Sequence, residues 1–502
     1  MLQLSTQQLK EKFDFKSMAT NTSFFRKLFL ISLSFEMIAF LDIPALIVKC
    51  FILSWGLFIL INNFFIGKKA FAVKYKYILW AFLSLMVVTS FVRMSIWLIP
   101  NIALALYTAA CFFMFYGMYT DTTYENIEKE MVFLLRFFIF FGTICAVLSL
   151  LTLLPRKEIN ICSYNIGIFK DRLIGIYTNS NILAFSMVES IIACDIMSTN
   201  YIKNKFKDKK LNNWFLLTCV ILNCICVFLS DSNASFLFLI IYATIRVFCG
   251  IFFKNQTLRN FKLLKSSLIV ISFCMVLMSV SFSLRNACQK FICNTVSDIS
   301  INQESEYAEA SGSVTVPETD ERRKNSILIT PEKQKDKEPD LSDFHIGRKH
   351  YEVSSGRITL WKQGLEMFKY HPLIGIGRAN LNMYAQKYLK NGLIHPDLHN
   401  GYLTILVCYG AIGFLIFSTF SVLVAFDICK NMFLCTGKNY FDVVARIFSV
   451  LVAYCGYCLF EKAILFDMTF MVGFFWIMLG YEISYINHFI KHSKMTENKS
   501  TN

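Results

Sequence analysis

The chain has 502 residues, of which 55% are hydrophobic and 16% aromatic, while only 17% carry a charge. That balance excludes an ordinary soluble globular domain and fits a polytopic membrane protein. The net charge of +15 does not point to nucleic acid, because Lys and Arg stand in short clusters between apolar runs, where membrane topology accounts for them.

The polar start, Met1 to Asn21, lacks the short apolar core and small-residue cleavage site of a signal peptide. Residues 1–24 are therefore expected to be a cytoplasmic tail. A helix needs about 20 apolar residues to cross the hydrocarbon layer. About twelve such runs follow, near 25–41, 43–66, 77–97, 99–119, 131–154, 179–199, 213–229, 231–253, 264–283, 400–427, 440–460 and 463–487. The expected fold is all-α, with nine membrane helices in 25–283, a large extracytoplasmic loop in 284–399, three more helices in 400–487 and a cytoplasmic tail in 488–502. Leu41-Asp42-Ile43-Pro44 is all that separates the first two runs, so they form a tight hairpin; Ser230-Asp231-Ser232 breaks the pair at 213–253 in the same way.

Orientation follows from the basic residues of the short loops. One side collects Arg26, Lys27, Lys68, Lys69, Lys74, Lys76, the cluster YIKNKFKDKK (201–210), Lys254, Arg259, Lys262, Lys265 and the tail lysines 491, 494 and 499. The loops at 41–43, 97–99 and 230–231 carry no Lys or Arg. Both termini are thus expected in the cytoplasm and the chain in the plasma membrane, with 155–178 and 284–399 outside.

Residues 295–345 are rich in Ser, Glu, Asp and Lys and poor in large apolar side chains, so a mobile insertion is expected there. The part at 355–399 differs. In GRITLWKQGLEMFKYHPLIGIG, Ile358, Trp361, Leu365 and Phe368 share one helical face. This predicts an amphipathic helix on the outer membrane surface or capping the bundle, ended by Pro372, Gly375 and Gly377. A second short helix, about 379–391, leads into HPDLHNGYL (395–403).

Most of the 17 cysteines fall in the apolar runs, where Cys acts as a small apolar residue. Cys288 and Cys293, in CQKFIC, are spaced so that a disulfide could form, which the sequence leaves open. No Cys/His spacing matches a zinc site, and no metal or cofactor is expected.

Five of the seven histidines, His345, His350, His371, His395 and His399, fall in the outer loop. His399 directly precedes a membrane run, at the rim where a lipid-linked head group would sit. A neutral imidazole there can take a proton from a sugar hydroxyl, and His395 is a second candidate for that work. Arg172, in DRLIGIYTNSN, and Arg357, in SSGRITLW, occupy the same rim from separate segments. Their guanidinium forks suit a phosphate or diphosphate better than they suit simple snorkelling. Arg378, after the Gly-Ile-Gly turn, is a third such cation. Arg93 lies within a run and must face the bundle interior or reach the outer edge. Glu36, Glu189 and Glu461 need partners or water, and Arg136, Arg246 and Arg446 are expected to snorkel at the cytoplasmic ends.

The ordered motifs RLIGIYTNSN, SGRITLW, HPLIGIG and HNGYL resemble the O-antigen ligase and polysaccharide polymerase superfamily of bacterial envelopes. The likeness extends to about twelve spans and a long outer loop before the tenth; at the motif level it covers about 172–181 and 355–403. It implies metal-independent, inverting glycosyl transfer from a polyprenyl-diphosphate-linked glycan at the outer face of the membrane. On the same resemblance, Arg172 and Arg357 hold the diphosphate, and His399, with Asn400 beside it, activates the acceptor hydroxyl. Two departures stand out: Ser230-Asp231-Ser232-Asn233 replaces a Ser-x-Ser-Arg pattern, and Asn179-Ser180-Asn181 replaces Asn-Pro-Asn.

Within that resemblance a polymerase and a ligase both remain open; a polymerase is favoured because it serves any envelope type, whereas a lipid-core ligase needs an outer membrane. The expected partners are the lipid-linked glycan, membrane lipids and other envelope-assembly proteins. A flippase or sugar permease is the rival class. Transporters usually show internal repeats and midplane polar sites, whereas here the halves do not repeat and the polar cluster lies at the rim.

Overall fold

The computed structural model describes residues 19–155, 159–161, 164–169, 172–206, 211–254, 356–435, 439–465 and 468–500, with scattered helical positions between 269 and 288. Fourteen α-helices and one small sheet occur among them. In chain order the helices are α1 (Thr22–Glu36), α2 (Asp42–Ile59), α3 (Lys76–Val92), α4 (Leu98–Ala110), α5 (Tyr124–Leu151), α6 (Ser180–Met197), α7 (Asn200–Phe206), α8 (Asn213–Ser230), α9 (Asn233–Lys254), α10 (Arg357–Tyr370), α11 (Leu381–Tyr388), α12 (Gly401–Cys435), α13 (Phe441–Tyr457) and α14 (Phe470–Ser500). Eight helical stretches are long and apolar enough to cross a membrane, and α3 is a shorter apolar one. Helices therefore occur over eleven of the twelve runs; the run at 264–283 lies outside the described residues save for isolated helical positions, as do the insertion at 295–345 and Cys293.

The all-α expectation holds with one small sheet added, and the snorkelling expectation does not hold for two of its arginines. Residues 159–175 form an antiparallel sheet, β1 (Ile159–Ile161), β2 (Tyr164–Phe169) and β3 (Arg172–Gly175), in the order β1-β2-β3. A bridge from Ile38 to Tyr177 ties its end to the α1–α2 hairpin. Those arginines lie at the opposite end of the bundle. Arg246 and Arg446 do not reach outward: they converge on Asp195, at 3.3 and 3.1 Å, and the Tyr242 hydroxyl donates to the same carboxylate at 2.6 Å. A shared counter-ion removes the need to reach water. Glu36 likewise pairs with Lys49, from α2.

The predicted outer helix exists as α10, and its apolar face is divided: Trp361 and Phe368 pack against the cluster that holds Leu360 and Met367. Leu360, Gly364 and Met367 are buried, whereas Ile358 and Leu365 are 52% and 48% exposed. Gly364 lets α12 approach, since a Cβ there would lie 2.9 Å from Leu403 Cδ2.

The motif HPLIGIG (371–377) does more than end α10. Helix α12 is broken at Gly410 (φ 68°, ψ −172°), and the 372–377 segment takes up the backbone groups the break frees. Ala411 N–H donates to Pro372 O at 2.7 Å, Ile412 N–H to Leu373 O at 3.2 Å, and Gly377 N–H to Cys408 O at 2.8 Å. Non-helical backbone inside an apolar bundle persists only when protein groups satisfy it in this way. Thr89 Oγ1 donates to Ile374 O at 2.9 Å and Arg93 Nε to Gly375 O at 3.1 Å, pinning the segment from α3.

Candidate active site at the start of helix α12

Helix α12 begins with its own cap. Asn400 Oδ1 accepts from Leu403 N–H at 2.9 Å, satisfying a first-turn donor. Asn400 thus fixes the helix start, and its side-chain oxygen faces the helix backbone. His399, one residue earlier, has φ +44°, a conformation uncommon outside glycine.

The His399 ring meets a third segment, the loop that joins α13 to α14. His399 Nδ1 lies 2.9 Å from Glu461 Oε2. The other carboxylate oxygen, Oε1, accepts from Arg357 Nη2 at 3.2 Å. Phe460 lies under the Arg357 guanidinium, 5.8 Å from ring centroid to Cζ, and Trp361 lies against Phe460. On the far side of the imidazole, His399 Nε2 is 3.0 Å from His395 Nδ1. One continuous line therefore runs Arg357, Glu461, His399, His395. The side chains of Arg357, Glu461 and His399 are 18%, 14% and 23% exposed, so the line is shielded but reachable.

Burial pushes the His395 pKa down to about 4, helped by the neighbouring His399, Lys462 and Arg357 and opposed by Glu461. His395 is accordingly neutral near pH 7. A second charge group supports the loop from below: Asp397 pairs with Lys462 and, at 3.5 Å, with Arg378. Gly401 N–H donates to Cys458 O at 2.8 Å, which docks the start of α12 on the end of α13.

The remaining sequence candidates have contacts of their own. Arg378 belongs to the Asp397 support. Arg93 caps α3 and holds the plug at Gly375. Arg172, on β3, donates from Nε to Ser230 O at 2.8 Å and from Nη2 to Asn181 Oδ1 and Asp231 O at 2.9 and 3.2 Å. It braces the α8–α9 turn, where the sequence departs from Ser-x-Ser-Arg. His371 bonds the Tyr388 hydroxyl at 3.0 Å, away from the line; His345 and His350 lie outside the described residues.

Sequence reasoning named Glu461 only as a charge in need of a partner, and it missed Asp397, Phe460 and Lys462. The available signal was an adjacent Glu-Lys pair between the last two apolar runs, on a side otherwise poor in charge.

Residues 218–418 match the family model described as O-antigen ligase, Wzy_C. That span belongs to the O-antigen ligase and polymerase superfamily. The matched span takes in Arg357, Arg378, His395, His399 and Asn400. Glu461, Phe460, Lys462, Arg172 and Arg93 lie beyond the matched span. No curated protein matches the chain.

Proposed function

We propose that this protein is a polysaccharide polymerase of O-antigen or capsule type. It transfers glycan from a polyprenyl-diphosphate donor to a lipid-linked acceptor at the outer face of the plasma membrane. The observation that carries this reading is the placement of a guanidinium fork and an imidazole on opposite oxygens of one carboxylate, Glu461. Charge stabilisation and proton removal are the two things such a transfer requires.

In the proposed step Arg357 binds the donor diphosphate and offsets the charge that builds on it as it leaves. Arg172 braces the Ser230–Asp231 turn and adds positive potential. The acceptor hydroxyl oxygen forms the new bond to the anomeric carbon as the bond from that carbon to the diphosphate oxygen breaks. Attack from the face opposite the leaving group inverts the anomeric centre. The hydroxyl proton passes to the histidine pair and rests on His399 beside Glu461. The leaving group is already a good one when cations hold it, so the proposed reaction needs no metal.

Cells lacking the gene test this reading. A product limited to single repeat units supports a polymerase; full-length glycan left unattached supports a ligase instead. His399→Ala is expected to abolish the product while the protein still inserts, and retained full activity would remove His399 from the mechanism.

A further inference from the structure

The α13–α14 loop brings to the site a carboxylate that lies outside the matched family span, and its geometry is that of a linker rather than a bystander. Both Glu461 oxygens are used, one by each functional side chain: Oε1 by Arg357 at 3.2 Å and Oε2 by His399 at 2.9 Å. Its neighbours in sequence hold it in place. Phe460 packs under Arg357, and Lys462 pairs with Asp397, whose backbone lies two residues before His399. The three residues Phe460-Glu461-Lys462 thus touch Arg357, His399 and the Asp397 support in turn.

We propose that Glu461 is the positioning residue of this site, setting the tautomer of His399 and the aim of Arg357 with one carboxylate. This rests on the reading of His399 as proton acceptor and Arg357 as diphosphate ligand. An ionised carboxylate only accepts hydrogen bonds, so the His399 nitrogen facing it, Nδ1, carries the hydrogen. The lone pair then sits on Nε2, which faces His395 Nδ1 at 3.0 Å, so the acceptor's proton reaches it through His395: one proton enters the His395 ring as another leaves it for His399 Nε2. When it does, the imidazolium that forms stays against the same carboxylate, and partners of this kind fix ring orientation and basicity. Arg357 is tethered at one nitrogen, so its fork keeps one orientation while other donors remain for a diphosphate.

The link also explains why a lone glutamate is tolerated here. A single buried carboxylate beside one cation satisfies one oxygen, whereas this one is held at both, and its charge is shared between a permanent cation and a group that becomes one only during the reaction.

The test uses the full-length protein in nanodiscs, with lipid-linked glycan extracted from cells lacking the gene as both donor and acceptor. Glu461→Gln keeps size and one acceptor oxygen but can present an amide N–H to either partner. The expected result is a fall in kcat of about 100-fold or more with the apparent donor KM within about threefold of wild type. Glu461→Asp keeps the charge but is one methylene too short to span both partners, so an intermediate kcat, down by about 10-fold, is expected. A residue that only supported the fold would lower the yield of folded protein without separating kcat from KM. Wild-type kcat in Glu461→Gln, with His399→Ala inactive, overturns this proposal and leaves the transferase reading standing. Activity in His399→Ala overturns the reading beneath it. If the glutamine variant does not purify, the aspartate variant decides, and wild-type kcat there overturns the proposal.

Discussion

Gly375 and Gly392 offer a controlled pair for the broken-helix plug. Both have left-handed backbone, φ +69° and +65°, so alanine costs each of them about 1–2 kcal/mol in conformation. Their surroundings differ. A Cβ at Gly392 would meet only Gln386 Cγ, at 3.9 Å, whereas one at Gly375 would lie 2.3 Å from Cys408 C, 2.4 Å from Cys408 O and 2.5 Å from Tyr409 N. Those are backbone atoms of α12 beside its break, which cannot rotate away. Relief requires the 372–377 segment to withdraw, breaking the bonds of Ala411, Ile412 and Gly377. Each backbone group left unsatisfied in a dry environment costs about 1–3 kcal/mol, so with one such group for each of the three bonds Gly375→Ala should lose roughly 4–11 kcal/mol in all. The assay is apparent Tm of detergent-solubilised protein, read as the monodisperse fraction surviving heating. Gly392→Ala should melt close to wild type, and Gly375→Ala should melt far lower or fail to purify. Equal melting of the two variants would refute the plug.

Three further outcomes follow from the contacts. Asp195→Asn removes the counter-ion shared by Arg246 and Arg446; because Asp195 retains 30% exposure, the cost should fall near about 2–3 kcal/mol, below that of a fully buried pair, and Asp195→Glu should recover most of the lost Tm. Arg172→Lys keeps the charge but cannot make the three bonds to Ser230, Asp231 and Asn181, so glycan product should drop about 10-fold or more, and wild-type chain length would deny the brace any role. His395 is held neutral by a pKa lowered to about 4; its contribution to stability is present above its ordinary value of 6.5 and is lost as pH falls toward 4. Apparent Tm should therefore decline over that window, and His395→Gln should flatten the decline.

The positions of the helices were legible in the sequence because a membrane-crossing helix announces itself by length and apolar content alone. The same reasoning placed charge at His399 and Arg357 from their positions at the edge of apolar runs. It could not tell how the apolar face of α10 divides, with Ile358 and Leu365 exposed and Trp361 and Phe368 packed beside Leu360 and Met367, because packing such as Gly364 against Leu403 is an interhelical distance. It misread Arg246 and Arg446 for a similar reason, since their partner Asp195 lies on another helix.

What the sequence alone determined, then, is local: the apolar runs, the breaks between them, and the side chains placed where those runs end. The tertiary structure alone decided which ends meet. Glu461 stands 104 residues from Arg357 and 62 from His399, and only helix packing, by docking Gly401 on Cys458 and seating HPLIGIG in the break of α12, puts that carboxylate between them. Pattern and propensity act over a few residues, whereas a shared counter-ion forms only once the bundle has closed.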